Sequence, residues 1–202
     1  MIPVLAVRDP VSACRTLADQ FGFVQGPHGR MAFGTTQIAV VSSDALPSAL
    51  IRLRLDHVAF HVAAVDEIYE TFCRAGAVPD PSFTPDGPRD IPQFWDHGVR
   101  FIFFQGPGAA PFEFCTRTNA SAGVERGHDH FAIRAFELDA AEARVVLLGG
   151  RRIAEHSLPA VTRSVSVRFV QMGPVVFELF DEPPFAANTP ATGWVGLMPD
   201  GA

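Results

Sequence analysis

Apolar and polar residues alternate along this chain with two periods, and the two periods follow one another in the same order three times. A strand-like run, IPVLAVR, leads into Asp9-Pro10 and then into Val11, Cys14, Leu17 and Phe21, spaced for one face of a helix. Asp is a favoured N-cap, and proline is pre-organised for the first helical position. The order repeats at LDHVAFHV, where Asp66 opens a helix through Ile68, Phe72 and Ala75 that stops at Gly76. It repeats again at HFAIRAF, where Asp139 opens a helix through Ala143, Val146 and Leu147 that stops at Gly149-Gly150.

Short strand candidates follow each helix. In the first unit they are Gly22–Gln25, Arg30–Phe33 and Thr36–Ser42. In the second they lie near Pro81–Thr84, Val99–Gln105 and Pro111–Thr116, and in the third near Ile153–Ser157, Ser164–Gln171 and Val175–Phe180. Gly-Pro-Gly at 106–108 and Gly-Pro at 173–174 supply hairpin turns. The pattern predicts an α+β fold of three βαβββ modules, at 1–47, 53–118 and 127–183. Ser48–Arg52 and Thr118–Arg126 read as linkers. Residues 184–202, rich in Pro, Gly and Ala, read as an extended tail, in which Trp194, Leu197 and Met198 suggest packing.

Within LDHVAFHV, period two puts His57, Ala59 and His61 on one face and Val58, Phe60 and Val62 on the other. Aligning the second and third units on their caps and turns sets His57 opposite His130 and Glu113 opposite Glu178. Each unit thus carries a histidine on its first strand and a glutamate on its last, both in apolar sequence. Two imidazoles and two carboxylates suit a borderline divalent metal. Without a cation, two glutamates in one apolar pocket would repel each other and resist ionisation.

Composition narrows the field. A hydrophobic share of 48% with 19% charged residues describes a chain with a substantial core. The net charge of −6 argues against nucleic acid as a partner. No apolar run is long enough to span a membrane and no secretory signal opens the chain, so no membrane role is expected. All 16 basic side chains are arginine, which excludes a Schiff-base or P-loop lysine. Cys14, Cys73 and Cys115 form no CxxC pair, which predicts a reduced, cytoplasmic setting.

The repeated unit, with LDHVAFHV, PFEF, HFAIRA and VVFELF, resembles the vicinal oxygen chelate superfamily, which includes glyoxalase I, methylmalonyl-CoA epimerase and extradiol dioxygenases. The resemblance spans residues 55–182 and, more weakly, 3–43. It implies that the last two modules pair into a metal-centred cup. The order His57, Glu113, His130, Glu178 is similar to the glyoxalase I arrangement, with nickel, zinc, manganese, cobalt or Fe(II) as the ion. In the first module Ile2–Val4 and Gln37 or Ala39 occupy the ligand places, so that module reads as structural. Its apolar sheet face needs a partner, expected to be a second copy in a homodimer.

The function this resemblance implies is a lyase or isomerase that moves a proton on a small anionic substrate with vicinal oxygens, through an enediolate-type intermediate. Glu113 or Glu178 would carry the proton. His61 and Arg134 sit at the same offset from His57 and His130, which predicts a pair just outside the metal: Arg134 as a fork for a substrate anion and His61 as a proton donor or base. Cys115 and Phe180, each two residues after a glutamate, are expected as substrate-facing wall positions. The Pro-rich loop at 85–100, with Phe94, Trp95 and His97, is a candidate lid. One alternative is an Fe(II) dioxygenase using His57, His130 and Glu178. Another is a non-catalytic protein that sequesters its ligand in the cup.

Overall fold

The computed structural model describes residues 1–118, 126–159, 164–183, 185 and 192–201. The first unit runs β1 (Ile2–Val7), α1 (Pro10–Phe21), β2 (Val24–Gln25), β3 (Met31–Phe33) and β4 (Thr36–Ser42). A short strand β5 (Ile51–Arg52) lies in the expected linker. The second unit comprises β6 (Val58–His61), α2 (Val65–Arg74), β7 (Arg89–Ile91), β8 (Val99–Gln105) and β9 (Pro111–Arg117). The third comprises β10 (Gly127–Arg134), α3 (Leu138–Leu147), β11 (Arg151–Pro159), β12 (Ser164–Met172) and β13 (Val175–Phe180), after which β14 (Gly193–Met198) ends the described fold.

In every unit the first strand pairs in parallel with the last, and the helix provides the crossover: β1 with β4, β6 with β9, and β10 with β13. Two sheets result, ordered β2-β3-β4-β1-β14-β5 and β11-β12-β13-β10-β6-β9-β8-β7. Antiparallel pairing of β6 with β10 fuses the second and third units into the second, eight-stranded sheet. Local signals act as expected at α1, where Asp9 accepts from the Ser12 amide at 3.0 Å and Gly22 closes the helix in a left-handed conformation.

Three expectations are corrected. Pro81–Thr84 is a turn, because Asp80 folds the chain back: its carboxylate accepts from Ser82 N at 2.9 Å and its carbonyl from Thr84 N at 3.0 Å. The strand of that hairpin is β7 instead. Helix α3 packs through Leu138, Ala141 and Val145, leaving Val146 and Leu147 exposed. Its sequence is apolar on several sides, so periodicity alone cannot choose the face. Arg168 of β12 holds Asp139 and Glu142 at 2.6 and 2.9 Å and thereby sets the rotation.

The last correction concerns the tail. Residues 193–198 form β14, inserted between β1 and β5. Trp194 drives this, since its indole Nε1 donates to Pro111 O at 2.8 Å while its ring lies 4.7 Å from Phe112. Residues 184, 186–191 and 202 of that tail, and 119–125 of the expected linker, lie outside the described residues.

Phenylalanines of the second unit meet the first unit's helix and sheet. Phe21 stacks on Phe112 at 5.6 Å and meets Phe72 edge-on at 5.4 Å, and Phe33 meets Phe60 at 5.5 Å. The face of the first module that carries α1 is therefore covered by this chain's own second module. Among the described residues no helix is long and apolar enough to cross a membrane.

Candidate metal centre

Strand register assigns equivalent positions in the three units. Val4 pairs with Ala39, Ala59 with Glu113, and Ala132 with Glu178. Two residues before the first member of each pair stand Ile2, His57 and His130. The first module thus has Ile2 and Ala39 where the others have a histidine and a glutamate, and both are buried with Val4 and Met198 in a small hydrocarbon cluster.

The four polar side chains of the other two modules converge. His57 Nε2 lies 3.0 Å from Glu113 Oε2, 3.3 Å from Glu178 Oε2 and 3.2 Å from His130 Nε2. His130 Nε2 lies 3.4 Å from Glu113 Oε2 and 3.3 Å from Glu178 Oε2. All four are buried. Burial opposes charge on each of them, yet Asp56 and then the two glutamates hold His57, and the two glutamates with Asp129 hold His130, well above the usual imidazole pKa. In return the imidazoles hold Glu113 low and bring Glu178 down to about 2. Such packing of like carboxylates fits a divalent cation. His57, His130 and Glu178 each offer a donor atom, all within 4.8 Å of one another.

Two aspartates that the sequence reading passed over orient the histidines. Asp56 Oδ1 accepts from His57 Nδ1 at 2.9 Å, and Asp129 Oδ1 accepts from His130 Nδ1 at 2.9 Å. A carboxylate only accepts, so each Nδ1 carries a proton and each Nε2 is the ring atom turned to the cluster. Against the cost of burial, His57 and Arg134 keep Asp56 ionised, and His130 and Arg117 hold Asp129 well below its ordinary range. A break in the β6–β10 register between His128 and His130 accompanies the turning of Asp129 toward this face. The available signal was the Asp-His dipeptide, present at 56–57 and again at 129–130.

His61 and Arg134 lie elsewhere than expected. Neither lines the cavity around the cluster. Because β6 and β10 run antiparallel, the residue four past each histidine comes within side-chain reach of the other unit's aspartate. Arg134 Nε donates to Asp56 Oδ2 at 2.5 Å, and His61 Nδ1 lies 3.9 Å from Asp129 Oδ2. Arg134, placed in the sequence reading on a substrate anion, is occupied by this ion pair and by the Phe185 ring, 4.6 Å away.

The cavity over the cluster has a volume of about 170 Å³. Cys115 and Phe180 both line it. Burial, then the Asp129 and Glu113 carboxylates, push the Cys115 thiol well up, which suits a wall and not a nucleophile. The phenylalanine paired with each glutamate, Phe103 with Glu113 and Phe169 with Glu178, sets its ring against a histidine. Phe103 meets His57 at 4.9 Å and Phe169 meets His130 at 5.7 Å, both edge-on. From the candidate lid, Phe94 and Trp95 line the cavity and His97 does not.

Similar folds occur among solved structures. Glyoxalase I from Zea mays matches with a TM-score of 0.65 at 13% identity, over 92% of this chain and 67% of that one. A mutant of 4-hydroxymandelate synthase from Streptomyces coelicolor matches at 0.57 and 14%, over 91% of this chain and 70% of that one. The chain spans 65–68% of the length of these glyoxalase I chains. No family profile and no curated protein matches it. The chain has the vicinal oxygen chelate fold.

Proposed function

We propose that this protein is a metal-dependent lyase or isomerase of the glyoxalase type, acting on a small molecule with two adjacent oxygens. The observation that carries this reading is the convergence of His57, Glu113, His130 and Glu178, from two repeated units, at the floor of an apolar cavity. A divalent cation bound there supplies Lewis-acid polarisation to the substrate oxygens. His57, His130 and Glu178 are its holders. Glu113, whose Oε2 lies 3.0 Å from His57 Nε2 and 3.4 Å from His130 Nε2, is the carboxylate we assign to take and return the substrate proton. Asp56 and Asp129 keep both imidazoles in the tautomer that presents Nε2, and Phe103 and Phe169 keep water from their flanks.

The test combines elemental analysis with deuterium wash-in from D₂O at the hydroxyl-bearing carbon of 2-hydroxyacetophenone. Glu178→Ala should lose metal and exchange together. Glu113→Gln should keep its metal and lose exchange. Wild-type protein that takes up none of zinc, nickel, manganese, cobalt or Fe(II) would end this reading.

The trio of two histidines and one carboxylate also favours a second reading, an Fe(II) oxygenase. Oxygen uptake by the Fe(II)-loaded protein, absent with zinc or nickel, separates the two.

A further inference from the structure

Among the described residues, every ionisable side chain lining the cavity, Cys115 apart, is a carboxylate or a histidine: Asp56, Glu113, Asp129 and Glu178, with His57 and His130. The two nearby arginines are turned away. Arg134 is bonded to Asp56, and Arg117 lies behind the wall, its guanidinium 3.9 Å from the Trp95 ring and its Nη2 3.4 Å from Asp129. The remaining wall is mostly hydrocarbon, with Phe94, Trp95, Phe101, Val167 and Phe169 among its members. Trp95 has φ 55° and ψ 41°, a left-handed conformation that is costly for a tryptophan. Its packing 4.4 Å from Phe169 and beneath Arg117 holds it there.

Size and charge together restrict the occupant. A volume of about 170 Å³ is close to that of apolar cavities, roughly 150 Å³, that hold a single benzene ring. A carboxylate or phosphate on the body of a ligand would be desolvated against a hydrocarbon wall that presents no arginine to it, above a floor with four acidic side chains. We infer that the substrate is a compound with an uncharged, single-ring-sized hydrocarbon body carrying the two adjacent oxygens, and that compounds of equal size bearing a second anionic group are excluded. This replaces the anionic substrate expected from sequence, and it rests on the metal reading above only for the oxygen-bearing end.

Hydroxamates supply one chelating head on different bodies. Acetohydroxamate, benzohydroxamate and 4-carboxybenzohydroxamate are titrated calorimetrically into zinc-loaded protein. Benzohydroxamate should bind at least tenfold tighter than acetohydroxamate, as ring burial requires. The 4-carboxy compound should bind at least thirtyfold weaker than benzohydroxamate. Trp95→Ala should narrow the gap between the first two. Equal or tighter binding of the carboxylated compound overturns the inference.

A second arm uses chelator-treated protein, toluene and benzoate, with tryptophan emission as the signal. The chain has two tryptophans, and Trp194 is buried in the opposite core, so Trp95 reports. Toluene should alter the emission and benzoate should not. Benzoate acting as strongly as toluene, or no response to either, overturns the inference. If hydroxamates bind alike with and without zinc while toluene still binds, the metal reading fails and the apolar selectivity stands.

Discussion

Replacing Asp129 by asparagine keeps the shape of the site and removes one charge. Asp129 is 5% exposed, and its Oδ1 accepts from His130 Nδ1 at 2.9 Å. A hydrogen bond to a charged partner contributes about 1.5–3 kcal/mol, and each 1.4 kcal/mol is a factor of about ten. Burial limits the water that could replace the carboxylate. Asparagine also has two competing orientations, one of which turns an amide N–H toward Nδ1 and favours the wrong tautomer. Metal affinity should therefore fall about 10–100-fold, the range usual for partners of metal-binding histidines. Competition against a chromophoric chelator at pH 7.5, at one ionic strength, measures this directly. Arg117→Gln should cost less, because the arginine acts on His130 only through Asp129, at 3.4 Å. If Asp129→Asn binds metal within twofold of wild type, the aspartate does not orient His130 and the account of the site is wrong.

Arg134→Ala should weaken metal binding by a few-fold, because the ion pair with Asp56 is partly exposed and screened. It should leave the discrimination between charged and uncharged hydroxamates unchanged, and a loss of that discrimination would return Arg134 to the substrate. Burial brings His128 down to a pKa of about 4, and its Nε2 accepts from Val176 N at 3.1 Å. The folded-state pKa lies below the unfolded value, so the unfolded chain binds more protons between the two. Stability present above pH 6.5 should then fall by roughly 3 kcal/mol as the pH drops toward 4. Urea melts of metal-free wild type and His128→Gln across that window should show the slope reduced in the variant, and parallel curves would refute it. Trp194→Ala removes a buried indole and its bond to Pro111 and should cost about 3–5 kcal/mol in urea unfolding. A cost below about 1 kcal/mol would mean that β14 does not anchor the first sheet.

The repeated βαβββ order was legible because its signals are local. Strand alternation, Asp9-Pro10 at a helix start and glycines at helix ends act within a few residues, and so survive in a one-dimensional reading. The pairing of His57 with His130 and of Glu113 with Glu178 was legible for a related reason. Once a unit is repeated, equal offsets fall at equal places in the register, as Ala59 opposite Glu113 and Ala132 opposite Glu178 demonstrate.

Other features were decided only by tertiary structure. Parity identified the face of His61 and Arg134, but not what lies across from it. The antiparallel β6–β10 pairing brings each within side-chain reach of the other unit's aspartate, and a ladder offset is a property of two strands. Asp129 shares a face with its neighbour His130 although simple alternation forbids it, because a register shift breaks the alternation there. Residues 193–198 looked like tail because Pro, Gly and Ala dominate around them, yet Trp194 finds a partner 83 residues away in Pro111. Periodicity specifies which residues are apolar together. Long-range packing and strand register decide what they face.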